Sequence, residues 1–303
     1  MDPFSSDGEL VHIHTAFTQS QYPTVLSDFD PSSFSANNKL PVQVLQYRAQ
    51  CALGQYDDVI SSISDSDAKS TPDLAAVRVY ASFLQSSARG SDGSDALAEA
   101  ERIAAGNKDN LSVQLLVGTI LARSGSPENA LELLIRHQGS LDAVALIIQI
   151  HLSQNRMDLA VKEAKSARSF AQDALLVNLA ESWIGMRKGG EEYQKAFYVF
   201  EELAQSPSSS SAATLVSQAV SELHMGRVEE AETALNSALA MEPENSAALA
   251  NKLVLDTILG RDTEDAKMKL EAADAQNEML DDFKAKREAF QAAMGKYSPK
   301  FEP

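Results

Sequence analysis

The sequence predicts an all-α fold: a tetratricopeptide-like α-solenoid, coiled as a right-handed superhelix of about eight helix pairs, with a C-terminal capping helix. Three observations carry this prediction. A small or branched apolar residue recurs along the chain at intervals near 34 residues, the length of this repeat. A glycine or asparagine stands five residues before several of those positions. No stretch reads as the apolar–polar alternation of a half-buried strand.

The clearest unit is AATLVSQAVSELHMGRVEEAETALNSALAMEPEN, Ala212 to Asn245. Gly226 can take the left-handed conformation that ends a first helix and turns the chain. Ala231 and Ala238 are seven apart, so they share a face of the second helix, and their small size lets two helix axes approach closely. Leu235 fills the space between units. Pro243 cannot continue a helix and stops the second one.

The position of Ala231 can be followed through the whole chain as Val25, Val59, Ala96, Ala130, Ala160, Ala196, Ala231 and Ala266. The successive steps are 34, 37, 34, 30, 36, 35 and 35 residues. Turn residues precede them at Gly54, Gly125, Asn155 and Gly226, asparagine being tolerant of the same left-handed backbone. The units therefore begin near Ser6, Leu40, Asp73, Leu111, Leu141, Val177, Ala212 and Ser246.

Two polar runs interrupt this order. Arg89 to Asp95 stretches the turn of the third unit, and Ser206 to Ser211 separates the sixth from the seventh. Both read as solvent loops, because Gly and Ser runs do not pack. Ser126-Pro127 is a cap residue followed by proline at the first helical position, and Asn245-Ser246 opens a helix in the same manner. After the last unit, Met279, Leu280, Phe283, Phe290 and Met294 recur at helical spacing. They predict a final helix of about 18 residues that covers the apolar end of the solenoid. Residues 1–275 thus form the repeat solenoid and 276–303 the capping helix and tail.

Composition narrows the function classes. With 43 acidic against 26 basic residues the net charge is -17, which repels nucleic-acid phosphate and anionic headgroups. Neither nucleic acid nor direct membrane insertion is expected. The most apolar stretch, Val144 to Leu152, contains Gln149 and His151 and falls far short of the ~20 residues that span a bilayer. The acidic start, Met-Asp-Pro-Phe-Ser-Ser-Asp-Gly-Glu, is unlike a secretory leader, and a single cysteine, Cys51, suits a reducing compartment.

Catalytic chemistry finds no foothold. There is no phosphate loop, dinucleotide fingerprint or His-Glu-x-x-His. His12 and His14, two residues apart on a helix, point in nearly opposite directions and read as surface histidines, not metal ligands. Cys51 reads as a small core residue. Glu229, Glu230 and Glu232 read as a solvated stripe, and Trp183 and Tyr193 as packing around Gly189-Gly190. No cofactor is expected.

Several segments are similar to the coatomer epsilon-subunit family. They include Gly139 to Leu152 with Arg156 to Glu163, Leu45-Gln-Tyr-Arg-Ala49, Asp73 to Arg78, Gly189 to Phe200, Lys286-Arg-Glu-Ala-Phe290 and Tyr297-Ser-Pro299. The likeness runs collinearly from about Glu9 to Pro299, and only the inserted loop at Gly90 to Asp95 departs from it. This resemblance implies a non-catalytic structural subunit of the cytosolic vesicle coat serving Golgi-to-endoplasmic-reticulum and intra-Golgi transport. It implies helix pairs curled around the C-terminal domain of the coatomer alpha subunit. It also implies peripheral attachment to Golgi membranes and coated vesicles through the rest of the complex and an Arf-type GTPase.

On a solenoid of this kind the first helices line a concave face, with inward positions 2, 5, 9 and 12 of each unit. These are Pro41, Val44, Arg48 and Cys51 in unit two, and Ala213, Val216, Val220 and Leu223 in unit seven. Unit one supplies Leu10, His14 and Phe17, unit three Leu74, Val77 and Leu84, and unit four Leu115. The expected partner-binding residues are Leu10, His14, Phe17, Val44, Arg48, Val77, Leu115, Val216 and Val220. One alternative is an adaptor that clamps a peptide carboxylate, for which the inward cations and amides are Arg48, Asn178 and Lys188. A helical-toroid enzyme is the other, and it lacks catalytic residues.

Overall fold

Eight helix pairs follow one another along the chain in the computed structural model, which describes residues 8–297. The pairs are α1 (Val11–Thr18) with α2 (Tyr22–Ser27), α3 (Lys39–Ala52) with α4 (Tyr56–Ser62), and, after a short α5 (Asp65–Ser70), α6 (Pro72–Ala88) with α7 (Ser94–Gly106). Next come α8 (Leu111–Arg123) with α9 (Pro127–Leu134), α10 (Leu141–Ser153) with α11 (Met157–Phe170), and α12 (Leu175–Lys188) with α13 (Glu192–Gln205). The last are α14 (Ala212–His224) with α15 (Val228–Met241) and α16 (Ser246–Ile258) with α17 (Glu264–Ala273), followed by α18 (Glu278–Lys296). No strand occurs among the described residues.

The predicted repeat column is the spine of the core. Val25, Val59, Ala130, Ala160, Ala196 and Ala231 are at most 1% exposed, and Ala96 and Ala266 at most 8%. Small residues there let each second helix lie close against its neighbours, while Leu235 and Ala238 close the space between units at 0% exposure. The turns use left-handed backbone as anticipated: Gly54, Gly125, Asn155 and Gly226 have φ of 76°, 80°, 59° and 77°. Unit one does the same with Ser20, at φ 61° and five residues before Val25. Asparagine caps recur at Asn110, Asn245 and Asn277, each side chain accepting a hydrogen bond from a backbone N–H of the next turn. Pro127 is the first residue of α9, but Ser126 makes no capping bond.

The superhelix curls until distant units meet. His14 on α1 reaches Asp142 at the start of α10, 128 residues away in sequence. On the other side a Cβ placed at Gly90 would lie 3.3 Å from the Gln276 side chain, so the turn of unit three abuts the segment after unit eight.

Two expectations are corrected. The serine run does not idle in solvent: Ser209 is 3% exposed and donates to Leu203 O, and Ser211 forms a capping box with Thr214 at the start of α14. The other polar run is the exposed loop expected, apart from Gly93, which packs against the Phe83 ring, 3.3 Å from where its Cβ would stand. Finally, α18 forms with 19 residues but does not seal the solenoid end. Only Leu280 is buried on it; Phe283, Phe290 and Met294 remain 52%, 66% and 58% exposed.

Candidate functional site

The inner wall is built from one repeating register. Arg48, Tyr80, Thr119, Gln149, Trp183, Val220 and Val254 are each the ninth residue of their first helix, or the tenth in α3. The first five surround a groove of about 260 Å³, together with Phe17, Asp142 and Leu176. Trp183 is shared with a wider groove of about 520 Å³, lined by Leu152, Met186, Phe200, Val216, Val220 and His224. Val254 continues the column on α16 and is 40% exposed. The wall thus changes along its length, from Arg48, Tyr80, Thr119 and Gln149 to Trp183, Val220 and Val254.

At the polar end, two of the nine expected residues, His14 and Arg48, meet Asp142, and a third, Phe17, packs against Arg48. His14 Nε2 lies 2.7 Å from Asp142 Oδ2, and an Arg48 guanidinium nitrogen 3.7 Å from Oδ1. The Arg48 guanidinium also stacks over the Phe17 ring, 4.5 Å from its centre, and Phe17 meets Tyr22 edge-on at 5.5 Å. All three polar side chains are largely buried, with 13%, 10% and 16% exposure for His14, Asp142 and Arg48. Burial alone would push the Asp142 carboxyl up. The hydrogen bond with His14 and the His14 and Arg48 charges outweigh it and hold Asp142 below the usual carboxylate range. His14 is therefore an interior tether between units one and five, not a surface histidine. The signal for Asp142 was present: it is position 2 of the unit that begins at Leu141, one of the inward positions.

The other expected residues divide. Val220 is half-buried on the apolar groove, as Phe17 and Arg48 are on the polar one. Leu10 and Val77 are corrected outright, both being 0% exposed. Leu10 precedes α1 and packs with Ile13, Val25 and Leu45. In unit three the register is shifted by one: Tyr80, not Ala81, lines the polar groove, and Val77 enters the core. Val44 and Leu115 at 5%, and Val216 at 8%, show only slivers at the edges of cavities. The sixth unit slips by two: α12 starts at Leu175, so Trp183 and Met186 line the wall in place of Lys188. Asn178 accepts a hydrogen bond from Arg168, which is also paired with Glu181.

Elsewhere, burial pushes the Cys51 thiol up to about 12 despite nearby Arg48, so it is unreactive at neutral pH. Glu232 is no idle stripe residue. It accepts from Arg261 and Lys252, joining α15 to α16, and these bonds bring its carboxyl down to about 2. Tyr193 stacks on His224 at 4.7 Å. Among the described residues no group of three or more His, Cys, Asp or Glu could hold a metal ion, and no helix is long and apolar enough to cross a membrane.

A curved wall of helix pairs identifies an architecture without saying where it works. A family model described as "Coatomer epsilon subunit" matches residues 6–298, nearly the whole chain. The chain belongs to the coatomer epsilon subunit family. Its relatives include the probable coatomer subunit epsilon of Schizosaccharomyces pombe, 32% identical over 85% of this chain and 83% of that one. Coatomer subunit epsilon-1 of Arabidopsis thaliana is 29% identical over 86% of this chain and 87% of its own length.

Among solved structures, the crystal structure of the APC/C hetero-tetramer Cut9-Hcn1 matches with a TM-score of 0.59 at 17% identity, covering 92% of this chain and 55% of that one. A tetratricopeptide repeat protein from Parabacteroides merdae matches with a TM-score of 0.55 at 13% identity, over 86% of this chain and 96% of its own. These two likenesses concern the fold. The chain is thus a member of the coatomer epsilon subunit family with a tetratricopeptide-like α-solenoid fold.

Proposed function

We propose that this chain is a non-catalytic structural subunit of the coat, and that its inner wall holds the C-terminal domain of the coatomer alpha subunit. On this reading it works in the cytoplasm, in Golgi-to-endoplasmic-reticulum and intra-Golgi transport, and meets Golgi membranes and coated vesicles only through the assembled coat. The observation that carries the reading is the open apolar groove around Trp183, Met186 and Val220 on the inside of a curved scaffold. An aromatic anchor among aliphatic side chains is what a partner hairpin or extended segment can bury for affinity.

The carboxylate-clamp alternative loses its support. Arg48 already faces Asp142 and Phe17, Asn178 is engaged by Arg168, and Lys188 pairs with Glu192. A clamp needs unengaged donors on adjacent inner positions.

The test is co-expression with the C-terminal domain of alpha followed by gel filtration. Co-elution in equal amounts is expected. Separate elution of two folded proteins would overturn the proposal.

A further inference from the structure

The exposed apolar residues of α18 form an ordered seam. Leu280, Phe283, Arg287, Phe290 and Met294 follow alternating steps of three and four residues, the spacing of a helix-pairing face. Leu280 is rooted in the last repeat, packed with Leu249 and Leu270. From Phe283 onward the seam is open: Phe283, Phe290 and Met294 are between 52% and 66% exposed, with Lys267 Nζ 5.8 Å from the centre of the Phe283 ring.

Charge on α18 is sorted around that seam. Four acidic and four basic residues sum to zero over the helix. Taking Leu280 as a heptad a position, the acids Glu278, Asp281, Asp282 and Glu288 all fall on the outer positions b, c and f. Lys284 and Lys286 fall on the flanking e and g positions, and Arg287 lies in the seam itself. Among the described residues Lys286 and Arg287 have no ion-pair partner, and Lys284 has only the exposed Asp281 at 3.8 Å. On a chain of net charge -17 this is a local basic border around an apolar strip.

We infer that α18 is a second docking element, separate from the inner wall, and that it pairs with an amphipathic helix of another protein whose apolar seam is flanked by Asp and Glu. Helix pairing follows from the three-four spacing, and acidity from the border that the partner must complement. A second copy of this chain contributes no carboxylate to the seam, since all four acids of α18 face away from it. A lipid surface fits less well, because the strip is narrow, the helix is neutral overall and the chain is strongly acidic.

The test uses the full chain and two labelled three-heptad peptides with leucine at a and d. One carries glutamate at e and g, the other lysine, and binding is read by fluorescence anisotropy. The glutamate peptide is expected to bind about tenfold or more tightly than the lysine peptide, the scale on which flanking charges set helix partner choice. The double variant F290E/M294E should lose about tenfold in affinity while melting at the wild-type temperature, because both side chains are exposed. K286E/R287E should reverse the preference toward the lysine peptide.

Equal binding of both peptides, or an unchanged preference in K286E/R287E, overturns the inference. So does sedimentation of the wild type as a dimer that F290E/M294E dissociates, which would give the seam to a second copy. Flotation with phosphatidylserine vesicles that F290E/M294E abolishes would give it to lipid, and would likewise overturn the pairing.

Discussion

Replacing Asp142 with alanine tests how the superhelix is held closed. Asp142 ties unit one to unit five through His14 at 2.7 Å and faces Arg48 at 3.7 Å, with all three side chains at most 16% exposed. Removing one member of a fully buried ion pair costs about 3–5 kcal/mol, because the remaining charge is left desolvated. Here some water reaches Arg48, and the Phe17 ring still covers it, so about 2–3 kcal/mol is the expected loss. In a solenoid that loss stays local, since each unit depends mainly on its neighbours. Amide protection in α1, Val11–Thr18, should therefore fall by about thirty- to a hundred-and-fortyfold, at tenfold per 1.4 kcal/mol. Protection in α14 and α15 should not change. The assay is native-state hydrogen exchange read by mass spectrometry. Unaltered protection of α1, or an equal loss throughout α14 and α15, would refute the tether. The wild type carries the same dependence on pH. Asp142 has a depressed carboxyl, so its contribution is complete above the ordinary carboxylate range and is lost as pH falls through the lowered value.

Three further outcomes follow from the same geometry. Ala231→Glu forces a charged side chain into a position at 0% exposure and should cost at least about 3 kcal/mol, whereas Val220→Glu, on the open groove, should melt near wild type; thermal melting of the two side by side decides. The Glu232 carboxyl, held at about 2 by Arg261 and Lys252, should make the α15–α16 junction lose stability as pH drops from the ordinary glutamate range toward 2, and Glu232→Gln should flatten that part of the acid unfolding curve. Ser211→Ala removes one half of the capping box on α14 and should cost about 1 kcal/mol in denaturant unfolding; no change would mean Thr214 alone caps the helix.

The repeat is legible because it rests on a steric demand that the sequence cannot conceal. Where two helix axes come close, only a small or branched residue fits, and that residue returns from Val25 to Ala266 at 8% exposure or less. The inner wall is legible only where helix starts are marked. Ser211 and Asn245 announce α14 and α16, whereas Ala174 before α12 offers no side-chain cap, so the register of unit six slips by two and Trp183 passes for mere packing. In unit three a slip of one residue sends Val77 to the core and Tyr80 to the wall. Periodicity puts Asp142 at an inward position but cannot name its partners, which are set by how far the superhelix curls and not by any local pattern.

Trp183, the single tryptophan of the chain, stands where the two inner grooves meet and reports on both. The most direct measurement incorporates fluorotryptophan into this chain and follows its fluorine NMR resonance while the unlabelled C-terminal domain of alpha is added. Occupation of the inner wall predicts that the resonance moves in step with complex formation, and that Val220→Glu holds it at the free position under the same conditions. A complex that forms while the Trp183 resonance stays where it began would mean that the partner sits on another face, and would contradict the account.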